Sequence, residues 1–197
     1  MAEVCLEKNI TLVHISTDFV FNGNSQSPYK EGDTTDPISV YGQTKLDGEK
    51  AIQNILSNYF IIRTSWLYSQ FGHNFVKSML HLSKNRDELS IVDNQIGTPT
   101  YALDLAQVLC KLMNDNSHFG LYHYSNLGDV SWYDFAKAIF ERTENRIKVY
   151  PIPSSSYPTP ATRPNYSVLD KGKIAKTLNL KIPYWQESLD KCLKGLF

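Results

Sequence analysis

The chain has 197 residues, 42% hydrophobic and 20% charged, with 20 Lys and Arg against 20 Asp and Glu. That length supports one domain with a real core, or a domain and a small appendage. The ordinary composition argues against disorder and collagen, and zero net charge leaves no electrostatic footprint for nucleic acid or an anionic membrane.

No signal-peptide pattern or long apolar run occurs in the sequence. Ile10 to Ile15 is a short, β-branched apolar run, the pattern of an interior strand buried on both faces of a parallel sheet. Residues 22–37 are turn formers and charges, expected on a surface loop. A helix from about Ser39 to Ser57 and a strand from Tyr59 to Thr64 complete a strand, loop, helix, strand rhythm.

The alternation continues with a helix near Asn74 to Ser83, a strand at Leu89 to Val92 and an amphipathic helix from Ala102 to Met113. Leu121 to Tyr124 is a further strand candidate. Ser131 opens a helix to about Thr143, with Asp134 as capping partner. Five prolines in residues 151–166 predict an extended crossing or lid loop, and short helices near 168–178 and 184–194 finish the chain. The fold class is α/β, with a parallel sheet and a smaller C-terminal lobe. Residues 1–115 are assigned to the sheet domain and 116–197 mainly to the lobe, with the chain crossing between them.

Tyr41 and Lys45 are four residues apart on the predicted helix, so they share a face one turn apart. A phenol is a poor proton donor or acceptor at neutral pH, but an adjacent ammonium favours its ionised form. Such a pair also occurs as plain solvated surface. Gly42 and Gly48 on the same helix each cost about 1 kcal/mol relative to alanine, which suggests close approach by a backbone or a ligand. Ser16, Thr17 and Asp18 follow the first strand directly, and in open parallel sheets ligands bind beyond the carboxyl ends of strands. A helix cap or turn is the competing reading of that triplet.

HISTDFVFNG at 14–23, then VYGQTKLDGEK at 40–50 with 24 positions from Thr17 to Tyr41, resembles the extended short-chain dehydrogenase/reductases. Within them the chain is similar to the dTDP-4-dehydrorhamnose reductase family through RTSWLY at 63–68, VDNQIGTPTYALDLA at 92–106, GLYHYSNLGDVSWYDFA at 120–136 and TRPNYSVLD at 162–170. The resemblance implies a Rossmann-like sheet and reduction of a nucleotide-linked 4-keto sugar, with NADP(H) or NAD(H) as cofactor.

It further implies Thr17, Tyr41 and Lys45 as catalytic residues. Tyr41 would protonate the sugar C4 oxygen, Lys45 would hold the nicotinamide ribose and tune the phenol, and Thr17 would hydrogen-bond the reacting carbonyl. Thr64 and Ser65 lie where the family's chain passes the nicotinamide. Asp18 and Trp66 match sugar contacts, although a tryptophan there also reads as core or interface. Arg163 is a candidate clamp for the nucleotide diphosphate, or half of a surface ion pair.

No glycine-rich dinucleotide turn occurs in the sequence. The family's first strands are therefore expected to be missing, along with the pyrophosphate site, leaving a partial sheet whose exposed edge implies either self-association into a homo-oligomer or dependence on the missing sequence. Magnesium dependence is left open. Cys5, Cys110 and Cys192 show no paired or metal-ligand spacing, nor do the five histidines, so a reduced, cytoplasmic chain without a metal is expected. Two other readings use the same scaffold: a nucleotide-sugar epimerase or dehydratase, which would share Thr17, Tyr41 and Lys45, and a noncatalytic subunit like the regulatory subunit of methionine adenosyltransferase, against which the intact Thr17, Tyr41 and Lys45 count.

Overall fold

The structure, a computed structural model, describes residues 1–114, 117–159 and 161–196. In chain order the elements are α1 (Ala2–Glu7), β1 (Leu12–Thr17), α2 (Val40–Ile55), β2 (Tyr59–Thr64), β3 (Leu67–Tyr68), α3 (Phe75–Leu82), β4 (Glu88–Val92), β5 (Ile96–Gly97) and β6 (Thr100–Tyr101). There follow α4 (Ala102–Met113), β7 (Gly120–His123), β8 (Val130–Ser131), α5 (Trp132–Arg142), β9 (Lys148–Ile152), α6 (Gly172–Thr177) and α7 (Trp185–Lys194). None of the helices among the described residues is long and apolar enough to cross a membrane.

Local chemistry explains the main boundaries. Ser39 caps α2, its hydroxyl accepting from Gly42 N at 3.1 Å, and Leu46 and Ile52 give the helix its buried face. Ser131 caps α5 in the same way, accepting from Asp134 N at 3.0 Å while donating to the Asp134 carboxylate at 2.7 Å. Along α4, Leu105, Val108 and Leu112 are buried one turn apart.

β1, β2 and β7 form a parallel sheet in that order. One face packs Phe60, Ile62 and Tyr122 against Leu105, Val108 and Leu112 of α4 and Ile174 of α6. The other sets Ile61 against Ile52 and Leu56 on and just after α2, and Cys5 of α1. Each such fully buried aliphatic contributes about 1.5–3 kcal/mol relative to exposure. A second core gathers Val76 and Met79 of α3, Phe135 and Ile139 of α5 and Leu189 of α7 beside the parallel pair β4–β9.

The two edges of the sheet differ. At β7, Lys173 Nζ donates to Leu121 O at 2.6 Å and Glu31 Oε1 accepts from His123 N at 3.0 Å, so charged side chains occupy the outer backbone groups. β1 stands at the other edge among the described residues, the open edge expected of a partial sheet; there Leu12 to Ile15, expected buried on both faces, are only half-buried and Val4, Leu6 and Ile10 nearby are exposed.

Two other expectations need correction. The 22–37 loop is irregular but not all surface: Tyr29 is buried, stacks on Phe21 at 4.1 Å between ring centroids, and its hydroxyl accepts from Gly23 N and Ser25 N. The proline-rich stretch begins in strand β9, where Pro151 is tolerated because a two-stranded sheet has only edges. The boundary placed at 115/116 lies outside the described residues, and β7 returns from the C-terminal part to pair with β2.

Candidate active site

The carboxyl ends of β1 and β2 lie side by side, Thr17 pairing in register with Thr64. Thr17 ends β1 and caps a 3-10 turn over Asp18–Val20: its hydroxyl accepts from Phe19 N at 3.2 Å and donates to Asp18 Oδ1 at 3.1 Å. Asp18 is 2% exposed, and its Oδ2 has no hydrogen-bond partner. Burial pushes its carboxyl up to about 6, which the nearby Ser167 and Thr17 hydroxyls only partly offset. A buried carboxyl with one free oxygen can receive a polar ligand without losing an existing bond.

α2 brings Tyr41 and Lys45 to this end of the sheet. Tyr41, in the first turn, is 52% exposed and meets the Phe19 ring edge-on at 5.7 Å. Lys45 Nζ donates to Ile15 O at 2.5 Å, two residues before Thr17. The approach is tight because of Gly42: a Cβ there would lie 2.1 Å from Phe19 O. Gly48 has no such role, since its nearest neighbour, His14 Nε2, would be at 3.9 Å from a Cβ.

Thr64 and Ser65 continue the site from β2. Thr64 Oγ1 donates to Thr100 Oγ1 at 3.4 Å, Ser65 Oγ donates to Thr98 O at 2.7 Å, and the buried Thr98 hydroxyl is unpartnered. Trp66 is held at φ +46, stacked on Trp132 at 3.5 Å and pressed so closely on Gly97 that a Cβ there would meet the indole at 2.6 Å. It is therefore half-buried at a junction between strand and helix. Arg163 is exposed, although the next residue, Pro164, packs on Gly23.

Sequence reasoning missed a charged cluster directly behind these groups. Glu49, 1% exposed, receives Arg63 Nη2 at 2.7 Å and Nε at 2.9 Å, and also the Ser16 hydroxyl. Arg63 Nη1 lies 3.4 Å from His123 Nε2, and His123 Nδ1 lies 3.1 Å from Tyr29 O. Burial, then the Arg63 charge, holds the His123 imidazole down to about 3. The available signal was an arginine inside the apolar YFIIRT run and a glutamate one turn beyond Lys45.

Among the described residues, no group of three or more His, Cys, Asp or Glu could hold a metal ion. The donor set does suit the ribose end of a nicotinamide nucleotide, since a phenol and an ammonium on one helix face can reach vicinal hydroxyls.

The family described as RmlD substrate binding domain matches residues 1–197. A dTDP-4-dehydrorhamnose reductase of Sinorhizobium fredii (strain NBRC 101917 / NGR234) is 42% identical, over 100% of this chain and 70% of the relative. One from Escherichia coli (strain K12) is 39% identical over 100% and 69%. The crystal structure of dTDP-4-dehydrorhamnose reductase from Bacillus anthracis in complex with NADP has TM-score 0.95 at 38% identity, covering 100% of this chain and 69% of that one.

Proposed function

Since the chain belongs to the RmlD substrate binding domain family, we propose that it carries the catalytic groups of a reductase converting dTDP-4-dehydro-L-rhamnose to dTDP-L-rhamnose with NADP(H). The observation that carries this reading is the placement of Tyr41 and Lys45 one turn apart on α2, against Phe19 and the Ile15 carbonyl, at the end of the strand that terminates in Thr17.

The nicotinamide, when bound, supplies the hydride. Tyr41 gives its phenolic proton to the C4 oxygen as that oxygen gains charge, and Thr17 donates a hydrogen bond to the same oxygen. Lys45, one turn away on the same helix, holds ribose hydroxyls. Thr64 and Ser65 line the nicotinamide side. Asp18 and Trp66 contact the sugar, and Arg163 is assigned to the diphosphate. Residues 1–115 act as the catalytic part and 116–197 mainly as the sugar-nucleotide lobe. Three free thiols support a cytoplasmic location.

The test is NADPH oxidation by the full gene product supplied with dTDP-4-dehydro-L-rhamnose. Tyr41→Phe is expected to lower kcat by about 10²- to 10⁴-fold while NADPH still binds. Wild-type turnover persisting in that variant would remove Tyr41 from the chemistry, and an inactive wild type would defeat the reductase reading.

A further inference from the structure

Tyr41, Lys45 and Glu49 follow one another at four-residue spacing, so they form a single stripe along α2. The stripe runs from a half-exposed phenol to a carboxylate that is 1% exposed. At the buried end, Glu49 takes the Ser16 hydroxyl from β1 and a two-pronged contact from Arg63 of β2. Ser16 and Arg63 are register partners on adjacent strands, and each immediately precedes a threonine of the site, Thr17 and Thr64. One carboxylate thus ties the helix to both strands one residue short of the chemistry. At the other end Gly42 rests on the Phe19 carbonyl. Lys45 lies between the two fixed points, and Tyr41 lies beside the second.

We propose that Glu49 is a positioning residue for the reduction: its carboxylate fixes the height and rotation of α2 over β1 and β2, and so sets where the Tyr41 phenol and Lys45 ammonium stand relative to Thr17. This rests on Tyr41 being the proton donor, as argued above.

Stability alone does not require the pair, because apolar residues of similar volume often replace a buried ion pair without loss. What they lack is direction. A guanidinium and a carboxylate meeting through two parallel bonds admit a narrow range of geometries, whereas packed methyl groups tolerate sliding. A displacement of about 1 Å at a reacting group can cost on the order of 10²-fold in rate. Folding and catalytic geometry are therefore separable at this cluster.

The experiment compares the wild-type gene product with Glu49→Gln and with the double variant Glu49→Met/Arg63→Met. It reads thermal unfolding, kcat and KM with NADPH, and amide hydrogen exchange over residues 40–46. The double variant, which leaves the Ser16 hydroxyl and His123 Nε2 without their partners, is expected to stay folded with an unfolding temperature only a few degrees below wild type and to keep KM for the sugar nucleotide within about twofold, but to lose kcat by about 10- to 100-fold. Exchange over 40–46 should rise about fivefold without a global increase. Glu49→Gln should move both readouts in the same direction, and it carries the comparison if the double variant does not fold. A folded double variant with wild-type kcat, or unchanged exchange over 40–46, would overturn the proposal. If the wild type itself does not turn over, the reductase reading fails, and exchange alone decides whether Glu49 holds the helix.

Discussion

Two buried polar clusters meet at the carboxyl end of β1 and β2, and they differ in how completely their hydrogen bonds are made. In the Ser16, Glu49, Arg63 and His123 cluster, each side chain has a partner in the protein. In the cluster of Thr17, Asp18, Ser65 and Thr98, Asp18 Oδ2 and the Thr98 hydroxyl have none. A satisfied network holds a shape, because deleting any member strands another in a poorly solvating interior. A partly satisfied one is costly to the free protein, and its open groups are the ones a polar ligand can complete. Substitution should therefore have opposite signs in the two clusters.

The largest effect is expected from Arg63→Met, which leaves Glu49 buried and uncompensated and should cost about 3–5 kcal/mol in chemical denaturation. Little change would mean that the interior accommodates the Glu49 carboxyl without its partner. A comparable effect should come from acid. The unfolded His123 imidazole gains its proton near 6.5 and the folded one only near 3. Between those values the unfolded chain binds more protons, so stability present above pH 6.5 is lost as pH falls, by on the order of 5 kcal/mol. His123→Gln should flatten that part of the stability profile.

The second cluster should behave the other way. Folded Asp18 keeps its proton up to about 6, against 3.8 for the ordinary group. The folded chain therefore holds the extra proton in that window, and stability falls as pH rises through it. Asp18→Asn should raise stability by on the order of 2–3 kcal/mol above pH 6, with no gain near pH 3, while weakening sugar-nucleotide binding. Destabilisation at pH 7 would sink the idea that this carboxyl is held at a cost. The smallest change is Thr98→Val, which removes an unpartnered hydroxyl and keeps the shape; a gain of about 1 kcal/mol is expected, read as a melting temperature higher by about 2–4 °C.

The same contrast accounts for what could be read from sequence. Tyr41 and Lys45 sit on one helix, so their relation is a spacing. Thr17 and Asp18 stood out because polar residues abruptly end an apolar strand. Glu49 and Arg63 are 14 residues apart on different elements, and a glutamate among Asp47, Glu49 and Lys50 reads as solvated until the strand behind it is known. The positive φ of Trp66 and its stack on Trp132 come from packing across the chain.

Both borders of the three-stranded sheet are met by the chain's own side chains. On β7, Lys173 donates to Leu121 O and Glu31 accepts from His123 N. On β1 itself the ammonium of Lys45 takes the Ile15 carbonyl. A strand laid along that border would compete with Lys45 for the same oxygen, so the rim of the sheet is also a wall of the candidate active site.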